Sequence, residues 1–153
     1  MKGKTIILYG LPGAGKSTLT ETFRTRGLHV FDDFMANSHG DQPGFLYCRH
    51  LADIVANLRG NAPSILADIR LCDSAFREEV VAELSRLAPE GELEWHCFDC
   101  RGPDAVETCR HNVHHRARVN CKDESRALGN IEIFAPMFTI EQDSILHTLT
   151  RAI

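Results

Sequence analysis

The chain has 153 residues, 43% hydrophobic and 25% charged, with a formal net charge of −4. That length suits one ordinary domain. No apolar run approaches the ~20 residues of a spanning helix, no signal peptide precedes the first apolar run, and the acidic balance gives no general attraction to nucleic acid.

In chain order, the β-prone run Thr5-Ile6-Ile7-Leu8-Tyr9 predicts a first strand over 5–9. It runs into Gly10-Leu11-Pro12-Gly13-Ala14-Gly15-Lys16-Ser17, followed by Thr18. These residues match G-x-x-x-x-G-K-[ST] between a strand and a helix, the context in which that pattern binds a nucleoside triphosphate. Its glycines let the backbone fold tightly and aim successive N–H groups at phosphate oxygens. Lys16 is placed to bridge the β- and γ-phosphates, Ser17 to put its hydroxyl on Mg²⁺, and the helix start adds its positive dipole end. The helix from Lys16 to about Arg26 ends at Gly27.

Leu28 to Phe31 predicts a second strand leading into Asp32-Asp33, then a loop with Gly40 and Pro43-Gly44. A second helix carries Tyr47, Leu51, Ile54, Val55 and Leu58 at steps of three and four. Ser64 to Ile69 is a third strand, with Asp68 and Arg70 at its end. Asp73 or Ser74 caps a helix with Phe76, Val80, Leu84 and Leu87 inward. Leu93 to Phe98 is a fourth strand closing on Asp99. A polar helix rich in His and Arg runs from Asp104 to about Arg118. Residues 119–130 read as a mobile segment. A short apolar stretch, Ile131 to Phe138, precedes Thr139-Ile140-Glu141-Gln142, whose capping-box pattern predicts a C-terminal helix.

Alternation of apolar runs with helical patterns implies an α/β fold, a small parallel sheet of about four strands flanked by helices in three layers. In such a sheet ligands sit beyond the carboxyl ends of the strands. The residues there are the phosphate loop, Asp32 and Asp33, Asp68 and Arg70, and Asp99. Carboxylates around a triphosphate suit metal organisation and proton abstraction from an acceptor hydroxyl. Asp32 or Asp33 is the candidate base. Asp68 is an alternative base or holder of a magnesium-bound water. No glutamate follows Asp68, which counts against a motor-type ATPase. Arg110 and Arg116 lie six apart, about 120° around a straight helix, so they need not both reach one ligand.

The six cysteines, 48, 72, 97, 100, 109 and 121, read as reduced thiols of a cytoplasmic protein. Cys97 and Cys100, with Cys109 and His111, His114 and His115 beyond, have the letters of a zinc set. Cys97 lies inside a strand, and no second paired motif completes the spacing.

The chain resembles the small P-loop kinases, a group that includes the phage polynucleotide 5′-kinase domain, the zeta-toxin group and related metabolite kinases. The resemblance rests on Gly10–Thr18, Phe31-Asp32-Asp33-Phe34, Asp68 with the turn Arg70–Phe76, Phe98-Asp99 and the helix from Arg110 to Arg116. It implies a P-loop NTPase fold in one domain over 1–153, with a lid over about 104–130. It also implies ATP with Mg²⁺ as donor, Asp32 as base with Asp33 the alternative, and Arg116 as lid arginine with Arg110 second. The chain departs from the polynucleotide kinase pattern where an arginine should follow the paired aspartates. Phe34-Met35-Ala36-Asn37 stand there, so a small hydroxyl acceptor is expected ahead of nucleic acid, with Arg49, His50 or Arg70 available to an acidic one. The alternatives are a polynucleotide 5′-hydroxyl kinase and a nucleotide-hydrolysing switch. Asn120-Cys121-Lys122-Asp123 has the letters of a guanine-recognition motif in the wrong order. A monomer or weak oligomer is expected.

Overall fold

The computed structural model describes residues 4–35, 44–121 and 123–153. The loop positions Ala36, Asn37, Gly40 and Pro43, and Lys122 of the altered motif, lie outside them. Strand β1 (Lys4–Tyr9) is followed by α1 (Lys16–Thr25), β2 (His29–Asp32), a 3₁₀ turn (Phe45–Tyr47) and α2 (Leu51–Arg59). Then come β3 (Ser64–Ala67), a 3₁₀ turn (Ile69–Cys72), α3 (Ser74–Leu87), β4 (Glu92–Phe98), α4 (Pro103–Asn120), α5 (Ser125–Phe134) and β5 (Ile145–His147).

The strands form one parallel sheet in the order β2-β3-β1-β4-β5. Strand β1 lies in the middle, with Ile6 opposite Ile65 of β3 and Glu94 of β4. Buried on both faces, it reads as a continuous apolar run rather than an alternating one. Thr5 through Tyr9 are fully buried, as are Ile65, Leu66 and Ala67 of β3. For this strand order the right-handed rule for parallel crossovers assigns α1 to one face and α2 and α3 to the other. Phe23 of α1 packs edge-on against the His96 ring of β4, and Ile54, Leu58, Phe76, Val80 and Leu84 fill the opposite layer. Asp73 caps α3 through the amide of Ala75, 3.0 Å away.

Three expectations are corrected. The sheet has five strands rather than about four, the fifth at Ile145–His147, and the apolar stretch from Ile131 begins as the end of α5. The apolar positions there are Ala127, Leu128, Ile131, Phe134 and Ala135, which is helical spacing once the residues before 131 are counted. The capping-box pattern at 139–142 opens no helix. The Tyr9 hydroxyl donates to the Thr139 carbonyl (2.9 Å) and accepts from the Glu141 amide (2.7 Å). The Thr139 hydroxyl, which the pattern assigned as cap, accepts instead from Arg77 at 2.5 Å. Arg77, 2% exposed, also donates to the Leu71 carbonyl and stacks over the Tyr9 ring. With its cap captured, the segment turns and enters β5. In the segment read as mobile, the described residues are the end of α4, a turn at Cys121 with φ +52°, and, from Ser125, the start of α5.

Candidate functional site

The phosphate loop connects the buried C-terminus of β1 to α1, so its amides gather at the first turn of a ten-residue helix. Gly13 has φ +85°, and a Cβ there would lie 2.3 Å from the carbonyl oxygen of Cys109 in α4. Gly15 has φ +113° and caps α1. Only glycine meets both demands at position 13: a left-handed backbone and the absence of a side chain against a neighbouring helix. The Lys16 ammonium donates to the carbonyls of Gly10 (2.6 Å) and Leu11 (2.9 Å), which holds it on the loop.

A cavity of about 1000 Å³ opens over the carboxyl ends of the strands. Its floor is the loop from Pro12 through Thr18. Asp32 and Asp33 border it on the β2 side, Arg116 and Arg126 on the α4–α5 side, and His147, Thr148, Thr150 and Ala152 on the β5 side. Asp33 has φ +51°, a conformation that aspartate tolerates better than most residues, and its amide donates to the Ala67 carbonyl at 2.7 Å. That bond carries the β2–β3 pairing one residue past the strand and sets the two carboxylates side by side at the cavity rim. The Asp32 carboxyl is held above its ordinary value of 3.8, first by partial desolvation and then by the Asp33 charge, against the pull of Lys16. An aspartate moved this way is a stronger proton acceptor.

The other strand-end residues have other partners. Asp68 is 4% exposed and does not border the cavity; its two oxygens accept from the amides of Met35 (3.0 Å) and Arg70 (2.9 Å). It braces the turn after β2 against the turn after β3. The Arg70 guanidinium lies over the Phe76 ring, 4.8 Å from its centre. Asp99 pairs with Arg101 at the surface. Arg110 turns toward α5 and pairs with Glu132 at 2.8 Å, whereas Arg116 borders the cavity without a carboxylate partner among the described residues. The 120° offset between them is thus realised. Arg49 is exposed and the His50 ring packs on Phe31.

Five of the six cysteines are buried and free; Cys121 is the exposed one. Burial pushes the Cys72 and Cys97 thiols up to about 12, so neither is a nucleophile near neutrality. The Cys100 sulfur accepts from the Leu11 amide at 3.4 Å and lies in hydrogen-bond contact with Cys109, packing both thiols under the phosphate loop. Among the described residues no three metal-ligating side chains converge. His111 binds the Ala152 carbonyl and His114 pairs with Glu124.

Several cavity residues were not legible as such. Arg126 sits on α5, which sequence patterning read partly as a mobile segment. Asn112 precedes Arg116 by four residues, one helical turn, so the spacing itself was a usable signal. Its side chain donates to the carbonyls of Gly13 (2.9 Å) and Thr150 (2.8 Å) and accepts from the Ala152 amide (2.7 Å).

No protein-family model matches the sequence, and no curated protein matches it. Solved structures do. A gluconokinase from Sinorhizobium meliloti 1021 superposes with a TM-score of 0.62 at 16% identity, over 98% of this chain and 85% of its own. A fungal RNA kinase gives 0.66 at 12% identity, over 98% and 76%. This is the fold of the small P-loop kinases. A chain of the Pnkp1/Rnl/Hen1 RNA repair complex matches at 0.52 and 19% identity, over 90% of this chain and 47% of that one. At these identities the likeness to P-loop kinases is one of fold. No helix among the described residues is long and apolar enough to cross a membrane.

Proposed function

We propose that this protein transfers the γ-phosphate of ATP to a hydroxyl group of a small acceptor. The observation that carries the reading is the single cavity that joins the phosphate loop to Asp32, Asp33 and Arg116. Lys16 and the loop amides hold the β- and γ-phosphates. The acceptor hydroxyl gives its proton to Asp32 as its oxygen bonds to the γ-phosphorus; the bond from that phosphorus to the β–γ bridging oxygen breaks, and ADP leaves. Lys16 and Arg116 neutralise charge on the equatorial oxygens. Ser17, at the first turn of α1 beside two adjacent carboxylates, is a hard oxygen donor set that fits Mg²⁺. When bound there, such an ion would neutralise charge on the phosphates. Helices α4 and α5 act as the lid over the donor.

A small acceptor is favoured by what stands after Asp33. Phe34 and Met35 are buried, so no cation waits there for a nucleic-acid phosphate, and Arg70 is committed to Phe76. The net charge of −4 points the same way. Solved neighbours of this fold are named for a gluconokinase and for an RNA kinase, so the acceptor has to be tested directly. ADP release is measured across hydroxyl-bearing metabolites and 5′-hydroxyl oligonucleotides. Stimulation by a small hydroxyl compound is expected. Label transfer to the oligonucleotide alone, with steep salt dependence, would replace this acceptor class, and fast hydrolysis that no acceptor suppresses would point to a switch. Lys16→Ala should lower turnover by about two to three orders of magnitude.

A further inference from the structure

Strands β2 and β5 are the two edges of the sheet, with β1 and the phosphate loop in the middle. If the γ-phosphate points at Asp32 on the β2 side, the nucleoside extends toward β5. His147, the last residue of β5, lines the cavity, as do Thr18 and Thr22 of α1.

Behind His147 lies a relay of side chains. Lys4 donates to Glu94 Oε2 at 2.7 Å, and Glu94 Oε1 lies 2.7 Å from His96 Nε2. His96 Nδ1 is 2.8 Å from His147 Nε2, with the two ring planes inclined by 20°. His96 is 5% exposed. The relay has a direction. An ionised carboxylate only accepts, so His96 Nε2 carries the proton. With a single proton on the His96 ring, Nδ1 offers a lone pair, and the 2.8 Å contact then requires the proton on His147 Nε2. Burial, and then the charge His96 would carry, keep the His147 ring neutral by lowering its pKa. Its Nδ1 is therefore a bare acceptor. Nε2 being the nitrogen that meets His96, Nδ1 is left with no hydrogen-bond partner among the described residues.

We propose that His147 reads the nucleobase, accepting a hydrogen bond from the exocyclic amino group of a 6-aminopurine, and that Glu94 and His96 are positioning residues that fix its tautomer. Adenine offers N–H at that position; guanine and hypoxanthine offer an oxygen, which would set lone pair against lone pair. The neighbouring threonines cannot impose this choice, because a hydroxyl both donates and accepts. The inference rests on the reading of the cavity as a triphosphate site.

The test is equilibrium binding of non-hydrolysable ATP, GTP and ITP analogues with Mg²⁺ to the full chain. ATP is expected to bind at least about tenfold tighter than either competitor. His147→Leu should bring the three within about twofold, and His147→Asn, which keeps an acceptor near the place of Nδ1, should retain the order. His96→Leu, which releases the tautomer without touching the nucleotide, should weaken the preference while the affinity for inorganic triphosphate stays unchanged. Nitrogen NMR of the wild-type imidazoles should show His147 protonated at Nε2. Binding of all three analogues with equal affinity, a preference that survives in His147→Leu, or protonation at Nδ1 of His147 would overturn the proposal and leave the triphosphate site standing. Failure to bind any triphosphate would overturn both.

Discussion

The Asn112 carboxamide donates to the Gly13 carbonyl across 2.9 Å, tying α4 to the phosphate loop, while its other contacts tie α4 to Thr150 and Ala152. One side chain thus sets the position of the loop relative to the helix that delivers Arg116 one turn later. Asn112→Ala removes three hydrogen bonds of about 1 kcal/mol each. The KM for ATP should rise about tenfold, with a smaller change in kcat. Asn112→Asp should be worse, because it loses both donors and adds a negative charge beside the triphosphate. Steady-state kinetics at varied ATP separates the two variants.

The raised pKa of Asp32 sets a direction for pH dependence. A general base works when deprotonated, so kcat/KM should fall on acidification through a pKa above the ordinary 3.8. Because the Asp33 charge is one cause of the elevation, Asp33→Asn should move the acidic limb to lower pH. Asp32→Asn should abolish the limb together with most of the activity. An unchanged limb in Asp33→Asn, or full activity of Asp32→Asn on the true acceptor, would remove the assignment.

Two glycines separate backbone strain from steric exclusion. Gly13 and Gly27 have φ of +85° and +92°, but a Cβ at Gly27 would meet nothing within 4 Å. Gly27→Ala should cost about 1–2 kcal/mol, the price of a left-handed backbone. Gly13→Ala adds the 2.3 Å clash with Cys109 and should lower the melting temperature further. It should also abolish nucleotide binding, which Gly27→Ala should leave intact. Thermal melts with and without ATP read both effects.

Arg77 holds α3, β1 and the segment before β5 together by donating to Leu71 and Thr139 and stacking on Tyr9. Hydrogen bonds to a buried charge are worth about 1.5–3 kcal/mol each. Arg77→Met should therefore destabilise the chain by about 3 kcal/mol, measured by denaturant unfolding. Arg77→Lys should recover only part, since an ammonium lacks the planar fork.

Local patterns revealed the strand–loop–helix start, the first four strands and the carboxylates at β2, because each is encoded within about ten consecutive residues. The β5 edge was hidden. Its three residues are too few for a periodicity signal, and the competing capping box at Thr139 is defeated by Tyr9 and Arg77, 130 and 62 positions away. Asp68 looked like a metal-site residue for the opposite reason. Its sequence neighbourhood carries the right letters, but burial beneath the amides of Met35 and Arg70 gives it a bracing role. The division between Arg110 and Arg116 needed the partner helix, since Glu132 claims one and leaves the other at the cavity.

The burial of every thiol but Cys121 has a practical side. That residue caps α4 at the turn into α5, beside the cavity-lining Asp123 and Arg126. A maleimide dye applied to the native chain would label this one turn, without any cysteine having to be removed. Its emission would then report, in real time, how the junction of the two helices responds as nucleotide is added and washed away.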